Sequence, residues 1–157
     1  MTDCTTADRS LVDRRIDPAQ LSPATILLIE IALAAGGFGI GTGEFVIMGL
    51  LPEVATTYQV SVPDAGNVIS AYALGVVIGA PIIAALAAKL PRKTLLLLLM
   101  GLFAIGNFAS AMAPGFLSFT ALRFITGLPH GAYFGVAALV AASMAPPHRR
   151  VRAVGRV

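Results

Sequence analysis

Long apolar stretches separated by short polar connections dominate this chain. A membrane-spanning helix needs roughly 20 apolar residues, because the hydrocarbon core is about 30 Å thick and each helical residue rises 1.5 Å. Four stretches meet that requirement: 26–50, 66–88, 94–113 and 116–145. The pattern therefore predicts an all-α, polytopic membrane protein with four transmembrane helices in contact with the lipid bilayer.

The polar segments between these stretches define the remaining organisation. We predict a tail over 1–25, a loop over 51–65, a short basic loop over 89–93, a turn at 114–115 and a basic tail over 146–157. Pro52, Pro91 and Pro114 mark the breaks, because proline disfavours continuation of a helix.

Composition supports the membrane interpretation. The chain has 157 residues, of which 57% are hydrophobic and 12% are charged, and its mean hydropathy is +0.84. A soluble domain has about twice that charged fraction, so too little polar surface is present to coat a globule. One cysteine excludes an internal disulfide and a multi-thiolate metal site. No catalytic residues, cofactor or metal are predicted.

The distribution of basic residues predicts the orientation. All of the 11 Lys and Arg except Arg123 lie in three segments that alternate spanning would place on one side. They are Arg9, Arg14, Arg15, Lys89, Arg92, Lys93, Arg149, Arg150, Arg152 and Arg156. The positive-inside rule then places both termini in the cytoplasm. The pI of about 9.5 is thus a topology signal, and nucleic acid is not an expected partner.

Four ionisable residues lie inside the predicted spans: Glu30, Glu44, Arg123 and His130. Each such charge costs about 2.5–3.5 kcal/mol on insertion scales, so these residues are functional candidates by default. Glu30 is near the cytoplasmic end of its span, where its side chain can reach for water. The other three are deeper.

Depth along the helices brings three polar groups to one level. At 1.5 Å per residue, Glu44 lies about 9 Å below the outer membrane edge, Arg123 about 10 Å and Asn107 about 9 Å. A Glu44–Arg123 pair would reduce the cost of both charges and prepare the carboxylate to exchange a proton. We therefore predict a proton or substrate pathway here, with a static pair that only fixes helix packing as the alternative.

His130 follows Arg123 on the same helical face, two turns deeper. Histidine can relay protons near neutral pH. Alternatively, His130 hydrogen-bonds a backbone carbonyl that Pro129 leaves free. Both interpretations stay open from the residues alone.

Small residues recur every four positions in two spans. Ala71, Gly75 and Gly79 form one row, and Gly127, Gly131 and Gly135 form another. Such rows predict close helix packing. The series Gly37, Gly39, Gly41 and Gly43 imitates a dinucleotide-binding loop, but no strand precedes it and it lies inside an apolar span. Its predicted role is to thin the helix near Glu44.

Three segments together resemble the amino-terminal part of a major facilitator superfamily transporter, in the branch of twelve-span drug/proton antiporters that includes sugar-efflux and chloramphenicol-efflux proteins. The segment GTGEFVIMGLLPEVA, Gly41–Ala55, is similar to the first-helix signature of that branch. The segment RFITGLPHGAYFG, Arg123–Gly135, resembles the fourth-helix motif, in which Gly follows Arg after four residues.

The third segment, GAPIIAALAAKLPRK, resembles the loop between helices two and three, which usually reads G-x-x-x-D-R-x-G-R-K. Lys89, Arg92 and Lys93 keep the basic positions of this cytoplasmic gating loop. Ala88 replaces the aspartate, whereas Ala84 and Pro91 replace the glycines. The charge relay that the family makes with its aspartate is therefore not expected in this chain.

The resemblance covers about residues 24–150 and implies proton-coupled efflux of a small organic compound across a bacterial inner membrane. The family folds as two six-helix halves around a site at the bilayer midplane. This chain has one three-helix repeat and the first helix of the next. It is therefore expected to be a truncated portion that inserts but does not transport alone.

Two other functions remain as alternatives. A small four-span exporter could work as an antiparallel dimer, but dual insertion requires nearly equal Lys/Arg on both faces, and the observed split opposes it. A non-transporting membrane subunit that only packs against a partner is compatible with the four predicted helices.

Overall fold

A computed structural model of the protein describes residues 21–86 and 90–157. Its helices are α1 (Pro23–Gly49), α2 (Leu51–Tyr58), α3 (Val62–Ala65), α4 (Asn67–Leu86), α5 (Arg92–Ala111), α6 (Phe116–Met144) and α7 (Arg150–Val154). A 3-10 turn over Pro147–Arg149 precedes α7. No β-strand occurs in these two described ranges. Lys89 and the basic residues of the predicted tail, Arg9, Arg14 and Arg15, lie outside the described residues.

Four helical stretches are long and apolar enough to cross a membrane: Pro23–Gly49, Val62–Leu86, Arg92–Ala111 and Phe116–Met144. The predicted all-α class with four apolar spans is therefore confirmed. Bulky apolar side chains cover the outside of the bundle, among them Phe38 at 77% exposed and Leu117 at 82%. An apolar exterior of this extent is stable in lipid and would aggregate in water.

Residues 51–65, predicted as a loop, are largely helical in α2 and α3. Pro52 and Pro63 lie in the first turns of these helices, where the missing N–H has no intrahelical acceptor to lose. The hydroxyl of Ser61 caps α3 by accepting the backbone N–H of Asp64 at 3.2 Å. Proline thus starts these short helices, and the backbone reverses at Gln59 with φ 53°.

Helix α6 is central and packs most extensively against α4 and then α5. Glycines permit the α4 contact: a Cβ on Gly75 would overlap the carbonyl oxygen of Phe124, and one on Gly127 would overlap that of Tyr72. Gly79 and Gly131 also face the opposite helix at short range, whereas Gly135 faces open space. The predicted close packing is present through Gly131 and does not extend to Gly135.

Two apolar clusters fill the bundle. One joins α1, α5 and α6 and includes Leu33, Ile40, Leu99 and Phe103. The other joins α2, α3, the start of α4 and the start of α6 around Val68 and Phe119. Helix α1 makes far fewer backbone contacts with α6 than α4 does. The α4–α6 pair is therefore the fixed frame, and α1 is its more loosely attached neighbour.

The basic segment 146–157 folds back onto the bundle. Helix α7 packs against α6, and the Arg156 guanidinium donates to Oε2 of Glu30 at 3.0 Å. Glu30 is only 9% exposed. The interpretation that Glu30 reaches for water is therefore wrong, because its carboxylate is paired with Arg156.

Candidate functional site

Arg123 is buried in the first third of α6, with 3% of its surface exposed. One terminal amine donates to the Gly43 carbonyl of α1 at 3.3 Å, and the other donates to Oδ1 of Asn107 on α5 at a long 3.4 Å. The guanidinium carbon lies 4.4 Å from the centre of the Tyr72 ring on α4. A single cation therefore contacts all three neighbouring spans.

Three polar side chains, His130, Tyr72 and Glu44, meet between α6, α4 and α1. Nδ1 of His130 is 2.9 Å from the Tyr72 hydroxyl and 3.8 Å from Oε2 of Glu44. The His130 side chain is 15% exposed and that of Glu44 is 31% exposed. Tyr72 connects these side chains to Arg123, because its ring faces Arg123 and its hydroxyl faces His130. An acid, an imidazole, a phenol and a guanidinium thus form one connected cluster.

A cavity of about 280 Å³ lies beside Arg123, between α1, α5 and α6. It is lined mainly by apolar groups, with Thr42, Asn107, Ser110 and Arg123 as its polar members. Nε of Arg123 is buried and has no acceptor among the described residues. The cavity therefore borders a cation that retains an unused hydrogen-bond donor.

The shared depth of Glu44, Asn107 and Arg123 agrees with these contacts, since Arg123 bonds Asn107 and the carbonyl of Gly43, the residue before Glu44. The direct Glu44–Arg123 ion pair is not formed within the described residues, where the Glu44 carboxylate instead approaches His130. Neighbouring helical residues point about 100° apart. The backbone at Gly43 therefore faces Arg123 while the Glu44 side chain turns toward α4.

The hydrogen bond of His130 goes to a side chain and not to a carbonyl freed by Pro129. Its partner, Tyr72, is 2% exposed and was not predicted as a site residue. The sequence contains a signal for it: Tyr72, Gly75 and Gly79 follow i, i+3, i+7 spacing and so share one helical face. A polar aromatic residue on the face of the close-packing glycines must point into the bundle.

Arg92 and Lys93 occupy the exposed first turn of α5. Cations at the amino end of a helix oppose its dipole, so helix stability does not explain their position. Their placement suits a membrane-surface anchor. The predicted third member of the gating loop, Lys89, lies outside the described residues.

Comparison with known proteins agrees with this architecture. The model of the Major Facilitator Superfamily matches residues 33–157. The inner membrane transport protein YdhP of Escherichia coli (strain K12) is 48% identical over 124 residues, which are 79% of this chain and 32% of YdhP. The uncharacterized MFS-type transporter YtbD of Bacillus subtilis (strain 168) is 40% identical over 79% of this chain and 31% of its own length.

A more distant relative is named for a drug. The chloramphenicol resistance protein of Streptomyces lividans is 34% identical over 132 residues, which are 84% of this chain and 33% of that protein. No solved structure matches the chain. The chain spans about a third of the length of these curated relatives. With four apolar helices and a family match over most of its sequence, this multi-pass membrane protein belongs to the Major Facilitator Superfamily of transporters.

Proposed function

We propose that this chain provides the amino-terminal helices of a proton-coupled exporter of a small organic compound. The observation that carries this proposal is the contact of Glu44 with His130, 3.8 Å apart between two of the apolar helices. Ionisable groups at such depth are costly and mark ion or substrate pathways.

The chemistry of the cluster suits proton binding. Arg123 stays protonated at any physiological pH, so protons on Glu44 and His130 set the net charge of the cluster. Carboxylate and imidazole are the side chains that can gain or lose a proton between acidic and neutral pH. Proton binding at either one changes which partners it can hydrogen-bond, and thereby which helices attract one another.

The apolar cavity beside Arg123 supports a small organic substrate. Its lining combines Val46, Ile47 and Phe119 with the amide of Asn107 and the guanidinium of Arg123, a combination typical of small-molecule sites. Transporters of this architecture bind substrate between two repeat-built bundles. The remaining walls would therefore come from helices beyond those of this chain.

Export can be tested in a chimera in which this chain replaces the matching segment of the Streptomyces lividans chloramphenicol resistance protein. We expect energised cells carrying the chimera to accumulate less chloramphenicol, and a protonophore to restore accumulation. The chain alone, in the same cells, is the control and should have no effect. A folded, inserted chimera that exports equally well without a proton gradient would exclude proton coupling.

We also expect both ends of the chain to face the cytoplasm of a bacterial inner membrane. A fluorescent reporter fused after Val157 should be active, because such reporters fold only in the cytoplasm, whereas one inserted near Thr57 should be dark. Alkaline phosphatase at the same two positions should give the opposite result. A periplasmic Val157 would contradict the charge-based orientation.

A further inference from the structure

One nitrogen atom of His130 faces side chains from two other helices. Nδ1 is 2.9 Å from the Tyr72 hydroxyl on α4 and 3.8 Å from the Glu44 carboxylate on α1. The first distance is a hydrogen bond, and the second exceeds one by about 1 Å. A movement of about 1 Å of Glu44 toward His130 would close that difference.

Protonation decides which of the two partners Nδ1 can bind. Without a proton, Nδ1 is an acceptor; the Tyr72 hydroxyl can donate to it, whereas an ionised carboxylate has no proton to donate. With a proton, the imidazolium is a cation, and its bond to a carboxylate is shorter and about twice as strong as a bond to a neutral hydroxyl. The two states therefore favour different helices.

We propose that His130 exchanges hydrogen-bond partners when it binds a proton: the neutral ring is held by Tyr72 on α4, and the protonated ring is held by Glu44 on α1. Tyr72 is the positioning residue of this exchange, because its hydroxyl keeps Nδ1 of the neutral ring unprotonated. The exchange is a property of these three side chains, whereas its use in transport rests on the proposed function.

The packing determines which helix can move. The Tyr72 backbone is fixed, because its carbonyl contacts Gly127 so closely that a Cβ there would overlap it. Helix α1 has few contacts with α6, so Glu44 is the partner free to approach. Protonation of His130 would then draw α1 toward the rigid α4–α6 pair.

The charges around His130 are consistent with a movement of Glu44 toward the protonated ring. Glu44 on α1 and Tyr72 on α4 are its ionisable neighbours from other helices, and Phe134 contributes an aromatic ring 5.2 Å away. The ionisable side chains of α5, Arg92 and Lys93, are in its exposed first turn. On α6, Arg123 already places a cation on the Tyr72 ring. A second cation at His130 requires a compensating anion, which Glu44 supplies.

Nuclear magnetic resonance on the 157-residue chain in lipid nanodiscs tests the exchange. Labels on the His ring nitrogens and the Tyr Cζ carbons report, respectively, the protonation of Nδ1 and the hydrogen bonding of each hydroxyl. His148 is exposed, and replacing it in His148→Gln leaves His130 as the single histidine, so that its ring signals are assigned without ambiguity. We expect the Tyr72 Cζ signal to shift over the same pH interval in which Nδ1 of His130 gains its proton.

Two tyrosines are matched controls. The hydroxyls of Tyr58 and Tyr133 donate to the carbonyls of Ala113 and Leu33, so their signals should stay constant through the same interval. In Glu44→Gln the Tyr72 oxygen should instead accept the Nδ1 proton, because no carboxylate competes for it, so the shift of its Cζ signal should differ from that of the wild type. In Tyr72→Phe the neutral ring should populate both tautomers, whereas the wild type shows Nδ1 unprotonated.

Three results would overturn the exchange: a Tyr72 signal that stays constant while Nδ1 gains a proton, an unchanged Tyr72 shift in Glu44→Gln, or a His130 ring that stays neutral at every pH at which the chain is folded. A transport measurement separates the two proposals. An intact exchange in nanodiscs, together with a chimera indifferent to Tyr72→Phe, would support the exchange and count against its role in coupling.

Discussion

Replacing Arg123 by Ala is expected to lower the free energy of unfolding by about 2–5 kcal/mol, the range for truncating a large, buried, hydrogen-bonded side chain. Arg123 is 3% exposed and contacts Gly43, Asn107 and Tyr72 together. Its removal leaves a void and two acceptors without their donor. Thermal unfolding in detergent, followed by circular dichroism, measures the loss.

Two further variants show whether the cause is charge or geometry. Arg123→Lys keeps the charge but loses the planar fork that reaches two acceptors at once, so it should recover only part of the stability. Arg152→Ala removes an exposed cation from α7 and should change the unfolding temperature little. Equal losses in Arg152→Ala and Arg123→Ala would contradict the importance of the buried contacts.

A double-mutant cycle identifies the partners of Arg123. Arg123→Ala combined with Asn107→Ala should be less destabilising than the sum of the single changes, by about 0.5–3 kcal/mol for residues in contact. The cycle with Glu44→Gln should show a smaller coupling, because the Glu44 carboxylate approaches His130 instead. If the coupling of Arg123 to Glu44 were larger than its coupling to Asn107, the result would support the Glu44–Arg123 ion pair that was predicted from depth alone.

Helix geometry explains why the level of these polar residues was predictable from the sequence and their pairing was not. Depth along a helix follows from counting residues at 1.5 Å each, so Glu44, Asn107 and Arg123 could be assigned to one level. The direction in which a side chain points around the helix axis cannot be obtained by counting residues. The hydrophobic pattern does not supply it either, because these helices are apolar on every side. A step of one residue, from Gly43 to Glu44, turns the direction by about 100° and changes the partner of Arg123.

The sequence predicts structure well where one physical effect dominates. Length and hydropathy predicted four spans because the bilayer imposes them. Pro52 was predicted to mark a break, and α1 does end just before it, but Pro52 also lies in the first turn of α2, because proline can open a helix as well as interrupt one. The fold of 146–157 onto Glu30 could not be predicted, since it depends on Arg156 meeting an acid more than 100 residues earlier in the chain.

Replacing Glu44 by Gln is expected to abolish proton-dependent export completely in the chimera with the chloramphenicol resistance protein. Gln has nearly the size of Glu and keeps one carbonyl oxygen as an acceptor, but it can neither bind nor release a proton at physiological pH. It also cannot neutralise a protonated His130, which is 3.8 Å away. Packing around α1 should be preserved, because the Glu44 side chain is 31% exposed.

Chloramphenicol accumulation in energised cells measures the effect of Glu44→Gln, and Glu53→Gln is the matched control. Glu53 is an exposed acid in α2, on the same side of the bundle but outside the cluster, so its replacement should leave export unchanged. Membrane levels and unfolding temperatures of the two variants must be equal for the comparison to hold. Undiminished, gradient-dependent export by Glu44→Gln would show that the coupling proton is carried elsewhere, and His130→Gln would then be expected to abolish export instead.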